Sequence, residues 1–257
     1  MTATNLDVYT PEWADRHFKS YSTKLHTDYV VSIIKKLQVR SILDIGCASG
    51  HLINSLTDKG YDATGLDIVE SNIRYAKRHC WGHYVYGDPY KLKVLNYKYD
   101  LIVVSHILEH LDDPTAYLLE LKPLLKPGGK ILAITPNAYS YSDRSLWRQN
   151  RCYVIWDKYH VRTFIPENLQ TTVRLAGYKI ISVNTHTYRG NIIGGLISTT
   201  GRIAITKKRP SIKDKPLVSK ATGDKLERLY AAMPSGILDR LSERNNKGSD
   251  IVVIASN

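Results

Sequence analysis

Small residues and acids stand where predicted strands end, a pattern that could bind a ligand. One apolar run ends in Leu43 to Gly50, where Gly46 permits a tight turn and Gly50 a close approach of backbone to a ligand. The helix predicted to follow would direct its N-terminal amide groups at the same place, which suits a carboxylate. Asp67 and Asp88 end the next two predicted strands. The first acid could accept hydrogen bonds from both hydroxyls of a ribose, and the second could meet the exocyclic amine of an adenine.

A second group of polar residues follows the fourth predicted strand, where His106, Glu109 and His110 form an H-x-x-E-H pattern. The pattern formally matches an inverted zinc-protease motif. Because it follows a strand predicted to be buried, we predict no metal there, and a divalent ion is the less favoured alternative. If the segment is helical, this spacing places the three side chains on one face. Hydrogen bonding and packing at a helix end are their expected roles.

The elements that must position these residues alternate between strand and helix. The predicted strands are 39–46, 61–68, 82–86, 99–104, 130–135, 178–183 and 251–255, and the predicted helices are 29–37, 51–59, 71–79 (capped by Ser71), 114–125 and 166–176. This alternation predicts a doubly wound α/β fold, with a mostly parallel sheet and helices on both faces. Ligands bind such a sheet at the carboxyl ends of its strands. The residues described above are therefore expected to meet at one edge.

The net charge of +12 on 257 residues is unevenly distributed. Residues 189–220 contain eight basic residues and one acid, a net +7. Such a segment attracts phosphates, nucleic acid or anionic lipid, and a solvated loop is an equally good interpretation. It lies between the last two predicted strands, in an insertion far longer than the usual ~4–6 residues, so the insertion is expected to contain structure of its own.

Composition also bears on location and domain organisation. No stretch approaches the ~20 uninterrupted apolar residues of a membrane span, and the opening residues lack the apolar block of a secretory signal. The three cysteines are odd in number and far apart, which predicts a reducing cytoplasm. We divide the chain into an N-terminal helical lid (1–37), a cofactor-binding core (38–187), a basic insertion that shapes substrate specificity (188–247) and a final core strand (248–257).

Taken together, the motifs resemble those of class I S-adenosylmethionine-dependent methyltransferases. The similar segments are Leu43–Gly50 for the first motif, Gly65–Asp67 for the second, Gly87–Asp88 for the third, His106–Pro114 for the fourth and Leu125–Lys130 for the turn before the fifth strand. Within that superfamily the chain looks most like the ubiquinone-biosynthesis O-methyltransferases and small-molecule tailoring enzymes. The resemblance covers about residues 25 to 185 plus the last strand. It implies a seven-stranded sheet whose last strand is antiparallel, and S-adenosylmethionine as the cofactor.

The resemblance also implies which residues contact the cofactor. It places the methionine carboxylate near Gly46, the ribose at Asp67 and the adenine at Asp88 and its neighbours. The family's usual middle glycine is Ala48 here, and alanine is small enough that we expect cofactor binding to survive. The predicted cofactor-binding residues are Asp44, Gly46, Cys47, Ala48, Gly50, Leu52, Asp67, Ile68, Gly87, Asp88, Ser105 and His106.

Methyl transfer requires the acceptor to be aligned with the sulfonium carbon and water to be excluded. A base near the acceptor can take its proton, and histidine is the natural candidate. We predict His106 and His160 as catalytic residues; the alternative is that they orient substrate or pack the lid. The predicted substrate-binding residues are His110, Asn137, Tyr139, His160 and Arg162, and the aromatic residues of a cofactor lid are Tyr9, Trp13, His17 and Tyr21.

Three functions fit these features. The first, our prediction, is methyl transfer to an O or N atom of a small-molecule metabolite in biosynthesis, including an anionic or carrier-linked one. The second is an RNA methyltransferase that uses the basic insertion; the chain has no recognisable RNA-binding module or Asn/Asp-Pro-Pro-Tyr/Phe motif to support it. The third, a non-catalytic cofactor-binding subunit, is disfavoured by the intact run of motifs. The acceptor and the oligomeric state stay open.

Overall fold

The computed structural model describes residues 9–88, 97–138, 160–186 and 250–257, which form a seven-stranded sheet with helices on both faces. The strands are β1 (Ser41–Ile45), β2 (Asp62–Asp67), β3 (His83–Tyr86), β4 (Tyr99–Ser105), β5 (Leu125–Pro136), β6 (Lys179–His186) and β7 (Asp250–Ser256). Their order is β3-β2-β1-β4-β5-β7-β6, and β7 is antiparallel to both of its neighbours. The predicted doubly wound fold with an antiparallel last strand is confirmed.

The helices begin at residues suited to the first turn. They are α1 (Pro11–Lys19), α2 (Tyr21–Ile34), α3 (His51–Thr57), α4 (Glu70–His79), α5 (Pro114–Leu121) and α6 (Pro166–Leu175). The side chain of Thr10 accepts a hydrogen bond from the backbone of Trp13 at the start of α1, and Asp113 does the same for Ala116 in α5. Proline, whose missing N–H costs nothing in a first turn, opens α1, α5 and α6.

The core has a layer on each face of the sheet. On one face, Leu118 of α5 and Leu169 of α6 are fully buried in a cluster with residues of β1, β4 and β5. On the other, Ile34 of α2 and Ile53 of α3 pack in a second cluster. Every residue of β1 is buried, as expected for a strand covered on both faces. These two layers hold the carboxyl ends of the parallel strands at one edge.

Some element boundaries differ from the prediction. Val69, and not Ser71, is the residue that precedes α4. α5 ends at Leu121 because Pro123 cannot continue it, and a short 3-10 turn follows. β5 begins at Leu125, earlier than expected, with an irregularity in its pairing to β4 at the glycine-rich turn.

Several predictions fall outside the described residues. Tyr139 and the whole insertion 188–247, with its basic segment 189–220, belong to this group. The proposed division into domains therefore stays a prediction. Within the described ranges, no helix has both the length and the apolar character needed to cross a membrane.

Candidate active site

A cavity of about 660 Å³ lies at the carboxyl ends of β1, β2 and β4, as expected for a parallel sheet. Its wall combines the loops after these strands with residues of α1, α2 and the start of β7. The predicted cofactor-binding residues on the wall are Asp44, Gly46, Cys47, Ala48, Leu52, Asp67, Ile68, Asp88, Ser105 and His106. Gly50 and Gly87 are not part of it: Gly50 is buried with no room for a Cβ beside Tyr84, and the Gly87 N–H donates to the Asp67 carbonyl.

The turn after β1 is held to the end of β2 by a carboxylate. Asp67 accepts hydrogen bonds from the backbone N–H of Ala48 at 2.8 Å and of Val69 at 2.7 Å. Gly46 and Ala48 both have left-handed backbone conformations, with φ of 75° and 48°. That conformation costs an alanine roughly 1–2 kcal/mol and a glycine almost nothing. The conformation accounts for the glycine that the family usually has in place of Ala48.

Two buried acids at this end of the cavity lack a cationic partner. Asp44 is 5% exposed and Asp67 is 7% exposed. Burial, and next the charge of Asp67, raises the pKa of Asp44 to about 8, and burial raises the pKa of Asp67. No Lys or Arg occurs among the described wall residues. A ligand with ammonium and ribose hydroxyl groups, such as S-adenosylmethionine, would supply the missing charge and donors, so the residues present fit that cofactor.

The N-terminal helices close the cavity from above through histidine–hydroxyl hydrogen bonds. The pairs are His17 Nδ1–Ser49 Oγ at 2.7 Å, His51 Nδ1–Thr27 Oγ1 at 2.9 Å and His26 Nε2–Ser105 Oγ at 3.0 Å. Trp13 stacks on His17 with ring centroids 4.7 Å apart, and both lie on the wall. Burial, and then the charge of His51, lowers the pKa of His17 to about 4. The imidazole is therefore neutral at pH 7 and can form this bond.

His106 forms the centre of the opposite end of the cavity. Its φ of 53° is left-handed, a strained conformation that is often found at functional sites. Its Nε2 lies 3.6 Å from Asp250 Oδ2 and its Nδ1 lies 3.5 Å from Glu109 Oε1. Partial burial opposes a charge on the ring, but the carboxylates of Asp250 and Glu109 outweigh it and raise the pKa of His106 well above the ordinary value. The two acids therefore favour the charged form of the His106 ring.

His26 lies beside His106 as a neutral imidazole. The two rings have centroids 5.4 Å apart. Burial, and next the charge of His106, lowers the pKa of His26 to about 3. Neither His26 nor Asp250 was expected from sequence, since α2 and β7 are distant from the motifs. The position of Asp250 could have been predicted from the expected topology, because an antiparallel last strand begins at the edge where its parallel neighbours end. In the structure Asp250 pairs with Pro136, the last residue of β5.

The H-x-x-E-H segment is a single 3-10 turn, Leu108–His110, and not a longer helix. His106 and Glu109 approach each other as predicted from their spacing. His110 instead packs against His160, with ring centroids 4.7 Å apart in a T-shaped arrangement. His110 belongs to the cavity wall, whereas His160 contacts His110 without being part of that wall.

Of the remaining predicted substrate residues, Arg162 and Asn137 lie within the described ranges. The Arg162 side chain donates to the backbone carbonyls of Leu111 and Asp112. Asn137 is buried and forms an isolated bridge with Phe164. Neither residue is part of the described wall. Their contacts instead join residues 162–164 to the loop after β4 and to the end of β5.

Comparisons with known proteins agree with this architecture. A family model described as "Methyltransferase domain" matches residues 18–183. Ubiquinone biosynthesis O-methyltransferases are similar in sequence: the protein of Bordetella avium is 29% identical over 119 residues, 44% of this chain and 49% of that protein. The Coxiella burnetii protein is 34% identical over 115 residues, 41% of this chain and 49% of that protein. The chain thus spans about half the length of these curated relatives.

A solved structure shows the same fold across nearly the whole chain. A SAM-dependent methyltransferase from Archaeoglobus fulgidus has a TM-score of 0.59 and 20% identity, covering 95% of this chain and 97% of that one. Since the family model matches more than half of the residues, the chain belongs to the class I S-adenosylmethionine-dependent methyltransferases, a family whose cofactor is S-adenosylmethionine.

Proposed function

We propose that this protein transfers the methyl group of S-adenosylmethionine to an oxygen or nitrogen atom of a small-molecule metabolite. The observation that carries the proposal is one cavity with two chemically different ends. Asp44, Ala48 and Asp67 form one end, and His106 with Asp250 forms the other. A cofactor bound at the first end would present its methyl group toward the second.

The cofactor supplies an activated methyl carbon, so the residues of the chain need to bind, align and manage a proton. We assign cofactor contacts to the wall residues around Gly46, Asp67 and Asp88. We propose that His106, in its charged form, donates a hydrogen bond to the acceptor atom, which would make the acceptor more acidic. His160, behind His110, is then our first candidate for accepting the proton. We retain His110, on the cavity wall, as a substrate contact. The contacts expected from Asn137, Tyr139 and Arg162 stay predictions from the sequence.

The first experiment measures turnover and cofactor binding separately. Methyl-labelled S-adenosylmethionine is incubated with candidate metabolites, and cofactor binding is measured by calorimetry. His106→Ala and His160→Ala should each reduce turnover about 100-fold, a typical contribution of acid–base catalysis, and should change cofactor affinity less than about threefold. His83→Ala, at an exposed histidine of β3, is the control. Full activity in both site variants would exclude the proposed roles, and failure to bind the cofactor would exclude methyl transfer itself.

An RNA substrate is the second candidate because residues 189–220 carry a net +7. Neutralisation of phosphates makes affinity fall steeply with salt. Binding of short RNA fragments that weakens about 100-fold or more between 50 and 200 mM salt would favour RNA over a metabolite. For the location, the free thiols of Cys47 and Cys80 suit a reducing compartment, and we retain the cytoplasm as our proposal.

A further inference from the structure

Three potential metal ligands meet at the acceptor end of the cavity from separate parts of the fold. His26 comes from α2, His106 follows β4, and Asp250 is the first residue of β7. One donor atom of each lies within 4.8 Å of the donor atoms of the other two. All three residues are part of the cavity wall. Two imidazoles and one carboxylate therefore point their donor atoms at a common space beside the cofactor end.

Asp250 has a polar atom without a hydrogen bond. Its side chain is only 7% exposed, and Oδ2 accepts no hydrogen bond from the described residues. His106 Nε2 lies 3.6 Å from Oδ2, beyond hydrogen-bond range. Buried carboxylate oxygens are costly unless they are paired, hydrogen-bonded or bound to a metal. This oxygen faces the two imidazoles and is available to a ligand.

Two acids with little exposure also flank His106. The side chains of Asp250 and Glu109 are 7% and 2% exposed, and the His106 ring lies between them. The described wall has no Lys or Arg. A divalent cation bound to His26, His106 and Asp250 would lie beside both acids and supply a positive charge there.

We propose that His26, His106 and Asp250 bind one divalent transition-metal ion at the acceptor end of the cavity. Two nitrogen donors and one oxygen donor suit Zn²⁺, Co²⁺, Fe²⁺ or Mn²⁺ better than Mg²⁺ or Ca²⁺, which prefer oxygen alone. Metal–ligand distances of ~2.1 Å in a tetrahedral site separate donors by about 3.4 Å, so rotation of the imidazole rings must bring the donors closer by about 1 Å. The fourth position faces the cavity, where an acceptor oxygen or nitrogen could coordinate.

A second group, Glu109, His110 and His160, also has donor atoms within 4.8 Å of one another. We prefer the first group because all of its members line the cavity, whereas Glu109 and His160 do not. An ion bound at Glu109 would have little access to an acceptor, since that side chain is 2% exposed. The two sites share no ligand, so single variants distinguish them.

Metal binding is tested on the full chain after dialysis against a chelator. Zn²⁺ is titrated by calorimetry and Co²⁺ by visible absorption at about pH 8, where protons compete less for the imidazoles. We expect one ion per chain with a Kd below about 10 µM. His26→Ala and Asp250→Asn should each weaken binding about tenfold or more. His83→Ala, at an exposed histidine, is the control. Thermal unfolding of His26→Gln, a variant closer in size to the original, tests whether lost binding reflects a lost ligand and not misfolding.

Two results would overturn the site. One is absence of binding of either ion up to about 1 mM, the range of non-specific surface sites. The other is loss of binding in His110→Ala and His160→Ala while His26→Ala binds normally, which would assign the ion to Glu109, His110 and His160. The inference does not depend on methyl transfer, but a metal-bound His106 would act on the acceptor through the ion and would not donate the hydrogen bond proposed above. Its measurement is metal affinity, whereas the proposed function is judged by cofactor binding and methyl transfer.

Discussion

The two ends of the cavity are built in different ways. At the donor end, Asp44, Ala48 and Asp67 lie close together in sequence, and backbone amides hold the Asp67 carboxylate. At the acceptor end, His26 and Asp250 come from distant parts of the sequence, and the His106 ring lies between the buried side chains of Asp250 and Glu109. A donor end built from one local motif can serve many enzymes that share a cofactor. An acceptor end assembled by tertiary contacts can change without disturbing the donor end.

The largest effect is expected at the donor end, from Asp67→Ala. The change would remove two hydrogen bonds from ribose hydroxyls to a carboxylate, worth about 1.5–3 kcal/mol each, and would leave the N–H of Ala48 without its acceptor. Calorimetry with S-adenosylhomocysteine should show affinity at least about 100-fold weaker. The control is Asp62→Ala, at the exposed start of the same strand. Unchanged affinity in Asp67→Ala would mean that the ribose lies elsewhere.

The next prediction tests whether the two ends are mechanically connected. A Cβ on Gly46 would lie 2.8 Å from Cδ1 of Ile107, the neighbour of His106, and the φ of 75° is unfavourable for alanine. Gly46→Ala should therefore reduce the free energy of unfolding by about 2–3 kcal/mol. Gly60 has a φ of 81° and open space around it, so Gly60→Ala should reduce the free energy of unfolding by about 1 kcal/mol, from backbone strain alone.

A double variant separates the steric clash from the backbone strain in the destabilisation caused by Gly46→Ala. Ile107→Val removes the Cδ1 methyl, so its combination with Gly46→Ala should cost less than the sum of the single variants in urea unfolding. Simple additivity would show that the turn after β1 and the segment after β4 adjust independently. The connection between the two ends would then be absent.

The same contrast explains how far sequence could predict this molecule. Glycines and acids at the ends of β1, β2 and β3 are adjacent to the elements that place them, so the strand pattern sufficed to locate Gly46, Asp67 and Asp88. The sheet was predictable for the same reason, because each strand has its own apolar run. Helix ends were less predictable: Ser71 was expected to cap α4, but its hydroxyl instead donates to the carbonyl of Tyr9.

The acceptor end escaped prediction because its partners meet only after folding. His26 lies on a helix whose apolar spacing indicates packing, and nothing near it in sequence suggests a ligand. Glu109 and His110 were noticed together, but one 3-10 turn sends them to different neighbours, His106 and His160. The spacing of residues predicts which side chains share a face only when the length of the helix is known.

His17, in the N-terminal lid, should make the stability of the protein depend on pH more strongly than an exposed histidine does. The pKa of His17 is about 4 in the folded protein, against 6.5 as its ordinary value, because burial disfavours the charged ring. Above pH 6.5 both states are neutral, and stability does not depend on this group. Between pH 6.5 and 4 the unfolded chain takes up the proton more readily, so stability falls as the pH is lowered.

His17→Gln removes this titration, since glutamine can still bond Ser49. Urea unfolding at pH 7.5 and 4.5 should show the original protein losing about 2 kcal/mol more than the variant, allowing for solvent screening at a half-buried ring. His83→Gln, at an exposed histidine, should lose as much as the original protein. Equal losses in all three proteins would mean that the lid bond does not depend on a neutral His17.

The smallest effect concerns the departure from the family at Ala48. Its φ of 48° lies where a side chain is strained, so Ala48→Gly should increase the free energy of unfolding by about 1 kcal/mol. Ala116→Gly, in the helix α5, should decrease it by about the same amount, because glycine there only adds disorder to the unfolded chain. Opposite signs in urea unfolding would confirm that backbone strain is stored at the donor end. If Ala48→Gly also destabilised the protein, the turn after β1 would be relaxed, and only His106 would remain as a strained non-glycine residue among those described.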